Sequence, residues 1–571
     1  MPPASDSFYQ RPAQPVRPPF LATSSPQVDA WMAQLSPRQR IAQLLHVPSW
    51  SNRDQAHQDE VINLIETYGI GGVIFFQGYP AAQVRFTQAY QQASRLPLLI
   101  SIDAEWGAAM RLTGVDPFPY QVALGAIPDL ATIYEMGKEV AWELRQLGVH
   151  MNHAPSVDIN TEPDNPVIGF RSFGSNAVEV AARARAYMQG MQDGGLLAVA
   201  KHFPGHGDTE VDSHLTLPVL NHPRARLEAV ELEPFRALIQ AGVAGVMPAH
   251  LHVPDLDPSP NIGATLSAPM IQGLLRKELG FRGLVVTDAL DMAGVAAHFS
   301  APEIAARATL AGNDILLFVV DVPGAIAAIE ALVEQGQITQ AEIDSRVRRQ
   351  LMAKAWLGLG DPSKVIPSLP PHPLHRPEGL ALRRRLAADA ITLVHDEAGR
   401  LPLPPGLKVA TLILQGGDAS PEDLAHHTLS GGQAEADSDR LSPFQHALNR
   451  AYPSDHFRLS PNRVPEGRLK SWIDRLKAYD ICILIVQGLA VKARFRFGIT
   501  EAYQAWLANL TSGLPTVVVH LANPYALRHL PGVGATGTLL VGYQDQPEFQ
   551  AAAAAVVLGQ APAKGKLPVE L

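Results

Sequence analysis

The sequence predicts an α/β protein with an N-terminal (β/α)8 TIM barrel followed by a smaller α/β sandwich domain. Short apolar runs alternate with helical patterns along the first part of the chain, and there are eight such runs. Polar residues stand at or just after the ends of five of them, as expected where a barrel collects its functional groups. A Gly/Pro-rich stretch, residues 358–373, then precedes a second set of apolar runs.

The composition is that of an ordinary globular protein of 571 residues with a net charge of −9, which argues against a nucleic-acid-binding surface. The single cysteine, Cys482, excludes a disulfide within the chain. The sequence contains no run of about 18 apolar residues, so we expect no membrane span. Residues 1–27 form a Pro-rich leader that we expect to be disordered and that lacks an apolar signal core. The sequence as it stands predicts a cytoplasmic protein, or a periplasmic or secreted one if a signal peptide has been removed.

The barrel is predicted over residues 28–357. Ser36 followed by Pro37 is typical of a helix start, and an amphipathic pattern over 341–357 predicts the last helix of the barrel. Helical patterns also lie between runs, at Leu130–Leu147 and Val178–Asp193. The eight runs predicted as strands are Gln43–Val47, Gly72–Phe76, Leu98–Ile102, Val149–His153, Leu197–Lys201, Gly245–His250, Leu284–Thr287 and Asp314–Val319.

After the linker predicted at 358–373, the second domain occupies residues 374–571. Its apolar runs are separated by helical stretches such as Thr500–Leu510, which predicts a layered sheet. The runs are Ile391–Val394, Val409–Leu414, Ile481–Val486, Thr516–Leu521 and Thr538–Val541.

One segment concentrates the polar chemistry: residues 201–214 contain one Lys, three His and two Asp, directly after a predicted strand. Asp212 and His214 are two residues apart, so in an extended segment they point the same way. A carboxylate beside an imidazole raises its basicity, and the pair suits general acid/base catalysis near neutral pH. A metal site and a solvated loop are the alternatives, although no zinc-type spacing supports the former.

The run Lys201-His202-Phe203-Pro204-Gly205-His206-Gly207, followed by Asp212-Ser213-His214 and Pro218, resembles the signature of glycoside hydrolase family 3, in its β-N-acetylglucosaminidase branch. The resemblance implies the two-domain form, in which Asp212 and His214 serve as the acid/base pair. The segment Gly565–Val569 is similar, more weakly, to the end of the second domain in that family.

By this resemblance Asp288, at the end of a strand, is the nucleophile; the alternative is a cap of the following helix. The segment 103–111 resembles the family's Asp-Gln-Glu-Gly-Gly-Arg-Val-x-Arg motif at Asp103, Glu105, Gly107 and Arg111. It departs from the motif at the Gln, the first Gly, the first Arg and the Val, and the largest departures are Trp106 and Ala108.

The remaining site residues follow from the same resemblance. Residues implied to bind substrate are Asp103, Arg111, Arg171, Lys201, His202 and Met247. His206 and Asp208 are expected to brace the loop, whereas His153 is expected to be a packed strand-end residue.

The function implied is a retaining exo-β-N-acetylglucosaminidase that hydrolyses terminal β-linked GlcNAc, from peptidoglycan fragments, through a covalent glycosyl-Asp intermediate. Three alternatives remain: a β-glucosidase, a GlcNAc phosphorylase of the same family and a non-catalytic sugar-binding protein. Neither a metal nor an organic cofactor is implied, and the oligomeric state is left open.

Overall fold

A computed structural model describes residues 3–10, 12, 14–22, 25–209, 216–367, 374, 376–416, 441–461, 468–534 and 536–571. They form two compact units. One unit comprises Met1–Phe118, Ile133–Ile159 and Ala177–Arg376. The other comprises Pro119–Thr132, Asn160–Asn176 and Pro377–Leu571.

This division differs from the predicted one, since two loops from the first half of the chain pack within the second unit. The hydroxyl of Tyr525 donates to the carbonyl of Asn160 (3.0 Å), and the amide of Lys566 donates to that of Ala126 (2.9 Å). Such contacts join residues far apart in sequence, so no composition boundary marks them. Residues 368–373 of the predicted linker lie outside the described residues, and its start contains a short helix, Pro362–Val365.

The first unit contains the predicted barrel. Its eight strands are all parallel and have the order β7-β6-β5-β4-β3-β2-β1-β8. A bridge between Val286 and Ile315 joins the two outer strands, so the sheet closes on itself. The strands are β1 (Leu45–Ser49), β2 (Gly72–Phe75), β3 (Leu99–Ile102), β4 (Met151–Asn152), β5 (Leu197–Phe203), β6 (Gly245–Pro248), β7 (Leu284–Val285) and β8 (Leu316–Leu317).

Helices alternate with these strands, as the sequence predicts. Ser36 and Gln39 form a capping box at the first of the predicted helix starts, where Pro37 is the first helical residue. None of the described helices is both long enough and apolar enough to cross a membrane. The α-helices of this half of the chain are Pro26–Ala33, Pro37–Ala42, Gln55–Tyr68, Pro80–Ala93, Gln121–Gly125, Leu130–Gln146, Ala177–Asp193, Arg224–Ala229, Leu232–Gln240, Ala293–Ala296, Ala301–Ala311, Val322–Glu334 and Gln340–Trp356, with a π-helix at Pro269–Glu278.

The leader that the sequence predicts to be disordered makes ordered contacts where the structure describes it. Phe8 is buried, and Phe20 is fully buried in the core cluster of the barrel. The amide of Val16 donates to the carbonyl of Gln240 (2.9 Å). These contacts differ from the expectation, because prolines prevent regular hydrogen bonding but not packing. Burial of these two aromatic side chains favours packing of the segment against the rest of the unit.

The second unit contains a six-stranded sheet of order β11-β10-β12-β13-β14-β9, in which only the edge strand β9 is antiparallel. All five predicted runs are strands, and β11 was missed because its exposed, polar sequence gives no apolar run. The strands are β9 (Thr392–His395), β10 (Val409–Gln415), β11 (Asp455–Leu459), β12 (Ile481–Gln487), β13 (Thr516–His520) and β14 (Leu539–Val541). The α-helices are Pro377–Ala390, Pro443–Ala451, Leu469–Leu476, Glu501–Gly513 and Pro547–Val557.

Candidate active site

The candidate site follows from the register of the barrel strands. Alternate side chains of a strand point into the barrel, and the inward set includes Ile74, Met151, Val199 and Val286 of the core cluster. The next residues in the same alternation stand at the carboxyl ends of the strands, where barrels hold their functional groups. These residues are Phe76, His153, Lys201 and Asp288, with Asp103 in the corresponding position after β3.

Asp103 is the centre of a network of four charged side chains. Its Oδ2 accepts from Nη2 of Arg111 at 2.7 Å, and its Oδ1 accepts from Nζ of Lys201 at 2.8 Å. Lys201 also lies 2.9 Å from Oε1 of Glu105. Burial raises the pKa of Asp103, but the positive charges of Lys201 and Arg111 outweigh it and hold this pKa well below its usual range.

The four charges balance one another, with two carboxylates against two cations. The Lys201 side chain is 2% exposed and that of Glu105 is fully buried, whereas Asp103 keeps 13% of its side chain exposed. Asp103 is therefore an anchored anion that still reaches the mouth of the barrel. An anion held in this way can accept hydrogen bonds from two hydroxyl groups of a ligand.

His202 is oriented by Asp158, a residue that sequence reasoning missed. Oδ2 of Asp158 lies 2.7 Å from Nδ1 of His202, and its Oδ1 accepts from the amide of His206 at 2.7 Å. Burial raises the pKa of Asp158, but the interactions with His202 and His206 outweigh this effect and lower the pKa below its usual value, so the carboxylate stays ionised. The signal in the sequence that could have identified Asp158 is its position as an acidic residue in the loop that follows β4.

Asp288 is half-buried beyond the end of β7, and its Oδ1 accepts from the amide of Ala289 at 2.8 Å. Its charge acts on both His153 and His206, so it belongs electrostatically to the same group of residues. The alternative reading, a cap of the following helix, is not observed. That helix, Ala293–Ala296, begins after Met292.

The predicted acid/base pair, Asp212 and His214, lies outside the described residues, so its roles stay predictions. The residues before it are well anchored. Nδ1 of His206 lies 2.8 Å from the hydroxyl of Thr209, and Nε2 of His222 lies 2.5 Å from Oδ2 of Asp208. These contacts agree with the expectation that His206 and Asp208 brace this part of the chain.

The metal alternative has one candidate among the described residues, where ligand atoms of Asp208, His222 and Glu231 lie within 4.8 Å of one another. However, Nη1 of Arg226 is 3.0 Å from Oε1 of Glu231, and its Nη2 is 3.9 Å from Oδ2 of Asp208. A guanidinium already supplies the positive charge, so this donor set does not fit a cation.

Three further predictions concern Met247, Arg171 and His153. Met247 faces inward from β6 but is only 2% exposed within the core cluster. Arg171 belongs to the second unit, in the 3-10 turn Gly169–Arg171, and its role in substrate binding stays a prediction. His153 is fully buried after β4, in the packed strand-end position expected for it. Its Nδ1 lies 3.9 Å from Oδ1 of Asp103, and burial lowers its pKa to about 4, so its imidazole is neutral near pH 7.

Comparison with known proteins gives a consistent result. The profile of the Glycosyl hydrolase family 3 N terminal domain matches residues 36–353. The chain is 35% identical to Beta-hexosaminidase A of Pseudoalteromonas piscicida over 387 residues, which are 62% of this chain and 64% of that protein. This chain therefore matches just under two thirds of that relative's length.

Other relatives match most of the chain. A Beta-N-acetylglucosaminidase/beta-glucosidase of Cellulomonas fimi is 29% identical over 517 residues, 88% of each chain. The solved structure of a glycoside hydrolase family 3 beta-N-acetylglucosaminidase from Paenibacillus sp. str. FPU-7 is 31% identical. It superposes with a TM-score of 0.77 over 94% of this chain and 99% of that one.

Proposed function

Because the profile covers more than half of its length, this chain belongs to glycosyl hydrolase family 3, and we propose that it is a retaining exo-β-N-acetylglucosaminidase. Asp288 is the nucleophile, and His214, oriented by Asp212, is the acid/base. The names of the relatives support the β-N-acetylhexosaminidase activity. The observation that carries the proposal is the register of the strands, which brings Asp288 to the same end of the barrel as Asp103 and Lys201.

In the first step, a carboxylate oxygen of Asp288 attacks C1 of the terminal sugar while the bond from C1 to the leaving oxygen breaks. His214 gives its proton to that oxygen. In the second step, water attacks C1 and gives a proton to His214. The bond from C1 to the Asp288 oxygen breaks at the same time, which frees the carboxylate. The sugar is released with its original anomeric configuration.

The charges around the site suit this scheme. A nucleophilic carboxylate must be ionised, and a second carboxylate close to it would raise its pKa. A histidine carries no negative charge either as the imidazolium that donates the proton or as the neutral imidazole that accepts it, so a histidine acid/base avoids that repulsion. The ionised, partly exposed Asp103 would hold sugar hydroxyls next to Asp288 without a proton of its own.

The test is hydrolysis of an aryl β-GlcNAc, with the anomer of the first product followed by NMR. We expect β-GlcNAc as the first product from the wild type and a loss of several orders of magnitude in kcat for Asp288→Asn. His214→Ala should lose most activity on substrates with a poor leaving group. Asp291→Asn changes an exposed carboxylate nearby and serves as the control. An α-anomer as the first product, or full activity of Asp288→Asn, contradicts the assignment.

A second candidate is a β-glucosidase activity, because the Cellulomonas fimi relative, which covers 88% of each chain, carries both names. The same assay with an aryl β-glucoside separates the two activities. Adding phosphate distinguishes hydrolysis from phosphorolysis, since only the latter yields a sugar 1-phosphate. For the natural substrate we propose peptidoglycan fragments, and release of GlcNAc from purified muropeptides tests this.

A further inference from the structure

Three aromatic rings stand at the mouth of the barrel on the strands that the proposed mechanism does not use. Trp50 follows β1, Phe76 follows β2 and Phe318 follows β8. Their ring centroids lie 5.9 Å (Trp50–Phe76), 5.7 Å (Trp50–Phe318) and 5.2 Å (Phe76–Phe318) apart. Because β2, β1 and β8 are neighbours in the sheet, these rings form one continuous arc, here called the aromatic arc.

The aromatic arc packs against the core of the barrel at its base. Trp50 and Phe76 pack against the core cluster of the barrel but stay partly exposed, and Phe318 belongs to that cluster. Phe318 has a φ of 63°, a left-handed conformation that is costly for a bulky side chain. Such a conformation persists only where the surrounding contacts enforce it, and here it directs a ring against the other two.

The arc is continuous with the charged network. The guanidinium of Arg111 lies 4.4 Å above the centroid of the Phe76 ring, while its Nη2 donates to Asp103. The guanidinium of Arg53 lies 3.9 Å above the Trp50 ring. The mouth of the barrel therefore has an arc of aromatic rings beside an arc of charged side chains, and Arg111 joins them.

The surface of a pyranose ring is likewise divided into a polar part and an apolar part. Its hydroxyl groups form a polar rim, whereas the axial C–H bonds of a β-linked sugar with equatorial substituents make an apolar face. Asp103 can accept hydrogen bonds from the rim, and aromatic rings can cover the apolar face. Ligand sites in general combine aromatic walls with a few converging polar groups.

We infer that the aromatic arc of Trp50, Phe76 and Phe318 is the wall on which the C–H face of the terminal sugar packs. This inference rests on the proposed function. The arc contacts the sugar in the ground state and the transition state alike, so it contributes uniform binding and acts on KM rather than on kcat. Since GlcNAc and glucose share this face, the arc sets affinity without distinguishing the two sugars.

The second unit offers a matched control. Phe457 and Trp472 pair at 5.6 Å, and Arg475 lies over both rings, at 4.3 Å and 5.4 Å. Like the aromatic arc, this cluster combines partly exposed tryptophan and phenylalanine rings with an arginine, but it belongs to the other unit. Phe457 is on the edge strand β11, and Trp472 and Arg475 are on the helix Leu469–Leu476.

The experiment compares Trp50→Leu, Phe76→Leu and the control Trp472→Leu on aryl β-GlcNAc and aryl β-glucoside. We expect KM to rise by about 3- to 10-fold for both substrates in the two barrel variants, as loss of an aromatic contact implies, with little change in kcat. The control should keep the wild-type KM. Circular dichroism verifies folding, and if Trp50→Leu unfolds, Phe76→Leu, which removes less volume, decides the test.

The outcomes are distinguishable. Barrel variants that behave like the control overturn the inference, and so does a KM increase limited to the GlcNAc substrate, since the arc would then bind the acetamido group. Failure of the wild type to hydrolyse the aryl β-GlcNAc refutes the proposed function instead.

Discussion

Replacing Lys201 by methionine removes one of the two cations from the charged network at the barrel mouth. Lys201 is 2% exposed and contacts Asp103 at 2.8 Å and the fully buried Glu105 at 2.9 Å. The variant keeps both carboxylates but only Arg111 to balance them. Breaking a buried ion pair by removing one partner costs about 3–5 kcal/mol, because the other charge stays buried.

The double variant Lys201→Met with Glu105→Gln restores the charge balance, because Asp103 and Arg111 then remain as a pair. We expect it to be more stable than Lys201→Met alone, with a coupling free energy of about 1–3 kcal/mol between the two sites. Activity should not return. Asp103 loses a charged hydrogen bond worth about 1.5–3 kcal/mol, which corresponds to roughly a 10- to 100-fold loss of kcat/KM.

Urea denaturation of the wild type, both single variants and the double variant measures the coupling, and kcat/KM is measured on each protein. Lys364→Met, at a side chain that is 63% exposed, is the control and should change stability by less than about 0.5 kcal/mol. The pKa of Asp103 is lower in the folded protein than in the unfolded chain, where it is near 4. The ionised carboxylate therefore stabilises the wild type above about pH 4, and that contribution is lost as pH falls. The deficit of Lys201→Met should therefore shrink at acid pH. Additive effects of the two substitutions at neutral pH refute the network.

Three further predictions concern other parts of the barrel unit. Lys354 is fully buried and donates to Gln43 at 3.0 Å, and burial lowers its pKa to about 7, below its value in the unfolded chain. The free energy of unfolding of the wild type should therefore rise with pH between about 7 and 10, by up to about 5 kcal/mol. Lys354→Met should abolish this rise, and denaturation experiments in which the variant keeps the same dependence on pH contradict the prediction. Phe20→Ala should destabilise the unit by about 3–5 kcal/mol, measured by thermal unfolding, and a Tm equal to the wild type's would mean that the leader does not anchor the core. Asp158→Asn should lower kcat/KM about 10-fold by releasing His202, whereas His202→Ala in that background should add little further loss; additive losses argue against the pairing.

The barrel could be predicted from sequence because its signal is local and repeated. Each inner strand is buried on both faces, so it reads as a short apolar run, and parallel strands require a crossover helix between runs. The edge strand β11 is also parallel to its neighbour and follows the helix Pro443–Ala451, but it is polar and mostly not buried, so it gives no apolar run and was missed. The packing of the leader could not be predicted for a related reason, since the burial of Phe20 depends on a partner surface elsewhere in the chain.

The candidate site was predicted in part. Asp103, Lys201 and Asp288 stand directly at the ends of apolar runs, where the barrel topology alone brings them to one edge. Asp158 follows its strand at a distance, and its role became visible only through its contacts with His202 and His206. Trp50, Phe76 and Phe318 appear in sequence as ordinary apolar residues of strand ends.

The sequence by itself determined the alternation of strands and helices in the barrel, its eight strands and the chemical types of residue at the strand ends. These properties depend on neighbours along the chain, through the alternation of side chains and the length of apolar runs. Only the tertiary structure decided which charges pair, which aromatic rings meet and which loops pack in the second unit. Those contacts join residues that are distant in sequence, and their energies depend on burial and on distances of a few ångströms that no local pattern encodes.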